Sequence, residues 1–418
     1  MRVLAVTMID LRQEPNQRMH HVLRNLAELA DETVVAMKVR NRGRSLRELV
    51  RDSVTFRVEE SRHGRVRILA VDPLLNYAHA MGAGVVHGQL GARAGRARSL
   101  VATALSLLGI ARDVVLVPAF VTTLLARTRG TFDVCVAQGP WEAAVGWALK
   151  RLGRVRLLVY DDIDLVAGGQ MLRLRSAYVA WLERTLIRRA DVAISSGWLL
   201  GDHRRRTTGR EVLVIPNGVD PAHFRPAREK RPHPPTLVYM GNVAHYAGVD
   251  LAIRALPRIR AGLRRARLVI VGGGDPPYLA ALRRLVADEG LTDAVEFRGP
   301  VPYSALPAIL AQSDIGLATF RPGPLGAYAF PLKVVEYMAA GLAVIGTEAS
   351  ETAEILRRYP CGRAVPFDEA SFATAVLELL ADPEVYARSV ETAVRGAEEL
   401  TWVRAMEAHR AAVVTALA

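Results

Sequence analysis

The sequence is short of cysteine, aromatic side chains and long uncharged apolar runs, and each shortage removes a class of protein. Two cysteines in 418 residues cannot build a disulfide framework; Cys135 and Cys361 read as buried, reduced thiols. Aromatic residues make up 6% of the chain, and its arginine-rich stretches (residues 40–47, 93–98, 204–206 and 258–267) are scattered, so a stacking platform for single-stranded nucleic acid is disfavoured. No run reaches the roughly 18 apolar residues of a spanning helix. The first residues, Met1-Arg2-Val3-Leu4-Ala5-Val6, have the pattern of a short strand and not of a signal peptide. A cytoplasmic protein is the expectation. Lysine is scarce as well: the net charge of +13 is nearly all arginine, and it implies an anionic partner such as a phosphorylated substrate or an acidic membrane surface.

What is present is an alternation of strand and helix, the mark of parallel sheets wrapped by helices. Half of the residues are hydrophobic, and 418 residues exceed one compact core, so two domains are expected. Strands are predicted at 3–8, 33–39, 66–71, 132–137, 156–160, 192–195 and 212–215, then at 237–240, 268–271, 295–297, 315–318 and 343–346. Helices are predicted at 17–30, 141–152 and 172–189, with two more at 100–110 and 114–126 and a helical tail over 369–418. Pro216-Asn217-Gly218 and the Pro- and Arg-rich stretch 221–235 mark the junction. The expected fold is α/β, two Rossmann-like doubly wound domains facing a cleft. Residues 1–218, joined by a final helix over 400–418, form the first domain, and 219–399 the second. Such sheets bind ligands at the carboxyl ends of their strands.

One stretch carries the most chemistry: Phe330-Pro331-Leu332-Lys333-Val334-Val335-Glu336-Tyr337-Met338-Ala339-Ala340-Gly341. Pro331 suits a first helical turn and Gly341 a C-terminal cap. Lys333 and Glu336, three apart, share a face near the electropositive end. A lysine there can hold a diphosphate, and a carboxylate one turn on can accept from ribose hydroxyls; the plain alternative is a surface Lys–Glu pair. A second feature is the strand-to-glycine-loop run Val269-Ile270-Val271-Gly272-Gly273-Gly274-Asp275, where glycine lets backbone approach a ligand.

The Pro-Leu-Lys-Val-Val-Glu-Tyr-Met-Ala-Ala-Gly stretch resembles the donor-site helix of GT-B glycosyltransferases, close to the large family 4-like group (glycosyl transferases group 1). The resemblance is strongest over residues 212–346 and includes Asn217-Gly218-Val219-Asp220. It implies a GT-B fold and transfer of a sugar from a nucleotide-sugar, UDP favoured, to an acceptor held by the first domain. No cofactor or metal is implied, the nucleotide-sugar being a substrate. The implied donor-binding residues are Gly241, Asn242, Gly273, Gly299, Val301, Arg321, Tyr328, Lys333 and Glu336. Departures are visible. Tyr328 stands where the family usually has a second Glu, and Asn242 and Ala247 stand where it often has Arg and Lys. Two positive charges are therefore missing from the diphosphate site.

In the first domain, Asp161-Asp162 ends the apolar run Leu157-Leu158-Val159-Tyr160. Neighbouring carboxylates raise one another's pKa, which suits a general base; helix capping is the plain alternative. With Tyr328 in place of Glu, an inverting reaction using Asp161 or Asp162 is expected. Arg18, His20 and His21 are candidate acceptor-binding residues. Arginines 93–98 before two apolar helices point to an anionic lipid surface, hence a peripheral position on the inner face of the membrane and an acceptor that is lipid-linked or soluble; two ordinary core helices are the plain alternative. The alternatives to glycosyl transfer are a GT-B-like sugar-nucleotide epimerase and a catalytically silent nucleotide-sugar-binding module.

Overall fold

The computed structural model describes residues 1–12, 18–39, 56–72, 95–168, 173–226 and 233–418. Residues 13–17, 40–55 and 93, and the middle of the 221–235 stretch, lie outside them. The chain divides into two compact units. One comprises Met1–Ser196, Leu200–Ile215 and Met406–Ala418; the other comprises Gly197–Leu199 and Pro216–Ala405.

The first unit holds an eight-stranded sheet: β1 (Arg2–Thr7), β2 (Glu32–Lys38), β3 (Arg57–His63), β4 (Val66–Asp72), β5 (Phe132–Ala137), β6 (Val155–Asp162), β7 (Val192–Ser195) and β8 (Leu213–Val214). Their order is β3-β4-β2-β1-β5-β6-β7-β8, parallel except for the β3–β4 hairpin. The helices are α1 (Arg18–Ala27), α2 (Gly95–Arg127), α3 (Pro140–Arg151), α4 (Arg173–Arg189) and α5 (Trp198–Thr208). The central strands bury both faces, which is why they read as continuous apolar runs. β3 does not: Arg-Val-Glu-Glu-Ser-Arg-His is exposed along almost its whole length, as suits an edge strand, and the sequence pattern gave no strand there.

The second unit holds β9 (Thr236–Met240), β10 (Arg267–Val271), β11 (Val295–Gly299), β12 (Ile315–Ala318), β13 (Ala343–Thr347) and β14 (Gly362–Val365). All are parallel, in the order β11-β10-β9-β12-β13-β14. Its helices are α6 (Val249–Gly262), α7 (Pro276–Asp288), α8 (Leu306–Leu310), α9 (Pro324–Ala327), α10 (Leu332–Ala339), α11 (Glu351–Arg358), α12 (Glu369–Ala381), α13 (Pro383–Glu399) and α14 (Trp402–Leu417), whose residues from Met406 on belong to the first unit. Alternate β9 residues feed two cores: Leu237 and Tyr239 one, Val238 and Met240 the other.

Two expectations change. The helices predicted at 100–110 and 114–126 are one helix, α2, with Pro118 inside it. Its segment Ser106–Arg127 has a mean hydropathy of 1.8 and is long and apolar enough to span a membrane by length and composition. Arg112, Asp113 and Pro118 broke the apolar run on paper. In the fold the charges are neutralised, since Arg112 donates to Asp113 and Arg175 reaches the same carboxylate at 3.1 Å. Second, Pro331 is the N-cap of α10, one residue before the first turn. The other end is as expected: Gly341 has φ +72° and donates to Met338 O, while Leu342 donates to Tyr337 O, both at 3.0 Å. These two bonds close a Schellman motif.

In both sheets the chain runs outward from one central strand and later returns to its other side. The turning points are β1/β5 and β9/β12. At such a switch point the loops leave in opposite directions and open a crevice at the carboxyl edge. The β9–β12 ladder lasts only two residue pairs, Leu237–Ile315 and Val238–Gly316. Beyond it the phenol of Tyr337 fills the split: its Oη accepts from Met240 N–H at 2.8 Å and donates to Leu317 O at 3.4 Å. Gly316 makes room for the ring, since a Cβ there would lie 2.2 Å from Tyr337 Cγ. Tyr337→Phe leaves a buried amide unpaired and is expected to lower the unfolding free energy by about 1–3 kcal/mol, read as a lower urea midpoint at unchanged slope. Gly316→Val is expected to cost more. A Tyr337→Phe midpoint equal to the parent's would show that the phenol does not hold the split.

Candidate functional site

The carboxyl edge of the second sheet gathers loops from β9, β10, β11 and β12 around the start of α10. Gly241 follows β9 with φ +122°, and a Cβ there would meet Lys333 Nζ at 3.2 Å. The glycine therefore lets the lysine lie across the loop. Lys333 Nζ sits 3.9 Å from the Tyr239 ring centroid and 5.3 Å from that of Phe320. Ring faces attract a cation without replacing water as hydrogen-bond partners. Among the described residues the ammonium has no carboxylate partner within ion-pair distance. Burial pulls its pKa down to about 7, against the opposing pull of Glu336.

Glu336 does not close the surface Lys–Glu pair. It accepts from Tyr303 Oη at 3.0 Å, and burial raises its pKa. Tyr303 in turn stacks on His223, with ring centroids 4.7 Å apart and planes within 2°. The carboxylate one turn into α10 is thus held by an aromatic pair that sequence spacing gave no way to find.

The glycine loop after β10 has a different use from the one expected. A Cβ on Gly272 would lie 1.9 Å from Gly241 O, and one on Gly274 1.9 Å from Val243 O. These glycines let the β10 loop pack backbone-to-backbone on the β9 loop, with Val243 N–H donating to Gly273 O at 2.8 Å. Only Gly273 is roomy, since its nearest neighbour would be Pro300 at 3.9 Å. Gly299, at the end of β11, accepts from Gly272 N–H at 2.9 Å, which ties the β11 loop and Val301 beside it to the same group.

Asn242 donates from Nδ2 to Tyr246 Oη at 3.2 Å, and its carbonyl accepts from Tyr239 Oη at 2.7 Å. Arg321, expected to share the phosphate charge, spends its guanidinium elsewhere. Its Nη2 donates to both Asp250 oxygens at 2.7 Å, and its plane lies over Phe367 at 4.6 Å. Asp250 lies 71 residues earlier in the chain, which hid the pairing. Tyr328 caps the short helix α9, half-buried.

In the first unit, Asp161 and Asp162 are consecutive strand residues and so face opposite sides of the sheet. Both are fully buried and neither is the other's main perturber. Asp161 accepts from Arg18 Nε at 2.9 and 3.0 Å and from Gln138 Nε2 at 3.2 Å. Burial is the largest single influence and raises its pKa, but Arg18, His409 and Gln138 together outweigh it and the net shift is downward. Asp162 accepts from Arg204 Nε at 2.6 Å, and Arg204 also binds Glu183. Burial pushes Asp162 up to about 6 against the pull of Arg204. Arg18, a candidate contact for an anionic acceptor, is 4% exposed and pairs with Asp161 in the core. His20 lies with Nε2 2.9 Å from Leu11 O, and His21 beside it is half-buried.

Residues 234–382 match the family model of glycosyl transferases group 1. The GDP-mannose-dependent alpha-(1-6)-phosphatidylinositol monomannoside mannosyltransferase of Mycobacterium tuberculosis is 35% identical over 199 residues, covering 45% of this chain and 50% of that one. Glycogen synthase of the same organism is 29% identical over 224 residues, 52% of each chain. The chain thus spans about half the length of the curated relatives it matches. Over their whole length, Anabaena HepE in complex with UDP superposes with a TM-score of 0.70 at 16% identity, covering 99% of this chain and 100% of that one. Sucrose-phosphate synthase from Thermosynechococcus elongatus gives 0.70 at 17%, covering 98% of each. With two Rossmann-like domains and a Lys333–Glu336 helix at the second sheet's switch point, the chain has the GT-B fold, and the greater part of its second domain, residues 234–382, matches glycosyl transferases group 1.

Proposed function

We propose that the protein transfers a hexose from a nucleoside-diphosphate sugar, without a metal, to an acceptor held by its first domain. The observation that carries this reading is Lys333: a desolvated lysine, unpaired among the described residues, at a switch point and in the first turn of a helix. A desolvated cation without a counter-charge costs stability, and an anionic ligand recovers it. Glu336, one turn on and held by Tyr303, is placed for the ribose hydroxyls. The sequence-similar relatives named above include a GDP-mannose enzyme, whereas a structural neighbour at 16% identity holds UDP. The higher identity favours a GDP-hexose over the UDP-sugar expected from the sequence. Asp162 and Asp164 have the Asp-x-Asp spacing of a metal-binding motif, but Arg204 engages Asp162, which supports the metal-independent reading. The Asp161 and Asp162 ion pairs favour a role in holding the end of β6 over one as the catalytic base.

Contact with a membrane belongs to the same proposal. α2 buries Ser106, Leu116, Phe120 and Leu124 yet exposes Leu107, Val114 and Leu125, which at spacings of 7 and 11 residues lie along one helical face. Of the apolar window only 39% is buried, where a core helix would be mostly covered. An exposed apolar stripe next to an arginine-rich segment fits an anionic lipid surface.

Three measurements test these readings. Calorimetry with GDP and UDP is expected to show affinity falling from pH 7 to 9, by up to about tenfold per pH unit, because Lys333 must take up a proton as the diphosphate binds. Lys333→Ala is expected to weaken binding by about 2 kcal/mol and to flatten the dependence. An unchanged slope in the variant would remove Lys333 from the site. Asp161→Asn and Asp162→Asn are each expected to lower unfolding free energy by about 3 kcal/mol with nucleotide affinity kept. A variant of parent stability whose turnover drops about a hundredfold or more would restore that residue as the base. Finally, sedimentation with anionic vesicles is expected to retain the protein at low salt and release it as the Debye length shrinks below about 10 Å. Leu107→Ser with Val114→Ser should weaken retention, and equal recovery on neutral vesicles would end the membrane reading.

A further inference from the structure

The last of the four arginine-rich stretches, residues 258–267, serves neither the donor site nor the buried ion pairs of the first unit. It lies where α6 ends and β10 begins, at the amino edge of the second sheet. That sheet is wholly parallel, so this edge is opposite the one that carries Lys333, a strand's length or about 16 Å away. The turn itself is ordinary. Leu263 N–H donates to Ile259 O at 2.7 Å and Ala266 N–H to Leu263 O at 2.8 Å, and Arg267 N–H then joins the sheet edge through Pro235 O at 2.9 Å.

This turn and the start of β11 line a pocket of about 210 Å³. Arg260, Arg264, Arg265 and Arg267 surround it, with Asp293 as the one acidic residue of its wall. The other walls are one proline and two alanines, so nothing there stacks a nucleobase or covers a lipid chain. Asp293 does not neutralise the group. It takes Arg260 in a two-pronged pair, Nη1 to Oδ1 at 3.0 Å and Nη2 to Oδ2 at 2.9 Å. That pair holds the carboxyl below its ordinary range, and the charge of Arg267 adds to the fall. Among the described residues Arg264, Arg265 and Arg267 make no ion pair, and all three are exposed. The negative end of α6 accounts for a cation in its last turn, Arg260. It does not account for three more beyond that turn, where like charges oppose one another.

We propose that this pocket binds a phosphoryl dianion, free or carried on a molecule of at most hexose size, through Arg264, Arg265 and Arg267, with Arg260 held in place by Asp293. The chemistry selects the ligand. A guanidinium meets a phosphoryl group with two parallel hydrogen bonds, and several together favour a doubly charged anion over a singly charged one. The volume is below the roughly 300–1,000 Å³ of sites for drug-sized ligands, so a nucleotide-sugar belongs to the Lys333 edge and not to this one. The pocket stands apart from the donor site and does not depend on the transferase reading.

The test is calorimetry on the full chain, at fixed ionic strength, with inorganic phosphate, mannose 6-phosphate and methyl α-mannoside. Saturable binding of phosphate is expected, and none of the uncharged mannoside. Tighter binding of mannose 6-phosphate identifies a sugar phosphate as the ligand, and binding of inorganic phosphate alone identifies free phosphate; both support the pocket. Arg264→Ser with Arg265→Ser is expected to weaken binding about tenfold or more, at a urea midpoint equal to the parent's, which shows that the variant folds. Arg264→Lys with Arg265→Lys keeps the charge but loses the forks, and is expected to weaken binding severalfold. Lys333→Ala should leave phosphate affinity unchanged. Equal affinity in the parent and the serine variant overturns the proposal. So does equal affinity in the lysine variant, which would show diffuse attraction and no built site, or loss of phosphate binding in Lys333→Ala, which would assign it to the donor edge.

Discussion

The phenol of Tyr337, wedged between two strands that part after two residue pairs, is the contact on which the second domain's chemistry depends. Parallel strands at a switch point must diverge, because their loops leave in opposite directions, and divergence strands backbone donors and acceptors. Here one side chain takes a donor from β9 and supplies a donor to β12. That side chain belongs to α10, so the repair also fixes the helix. Lys333 stands four residues earlier on the same face and Glu336 directly before it. Gly316 and the Schellman closure at Gly341 complete the clamp from either side.

Charge elsewhere is handled by pairing. Arg18 with Asp161, and Arg204 with Asp162 and Glu183, are drawn from distant parts of the chain and buried, and a half-buried Arg175 reaches the buried Asp113. Such pairs add little net stability compared with an apolar filling, but losing one partner is costly. They therefore fix geometry: the end of β6 cannot shift without stranding a charge. α14 is keyed to the same region, with Asn25 donating to Met406 O at 2.8 Å and Arg410 to Asn25 Oδ1 at 2.6 Å.

The strand–helix alternation was legible because parallel strands buried on both faces must be apolar throughout, and the longer helices between them show a 3.6 period. So was α10, from its Pro, Lys, Glu and Gly spacing. What escaped was set by partners remote in sequence. Asp161-Asp162 looks like a carboxylate dyad until strand alternation points the two apart, and Arg321 looks free until Asp250 comes beside it. The glycines of residues 272–274 look like a ligand cradle, whereas two of them serve the neighbouring loop. β3 was hidden because an edge strand has no apolar face to announce it.

The chain has only four lysines among its many arginines, and two of them lie at the carboxyl edges of the two sheets: Lys38 ends β2, and Lys333 stands in the first turn of α10. A guanidinium keeps its proton under all ordinary conditions, so an arginine there would leave an empty crevice permanently charged. An amine held near neutrality can discard its charge while the crevice waits and regain it when a ligand arrives. On the proposed reading, filling the crevice at Lys333 with an anion therefore draws a proton from the surrounding buffer.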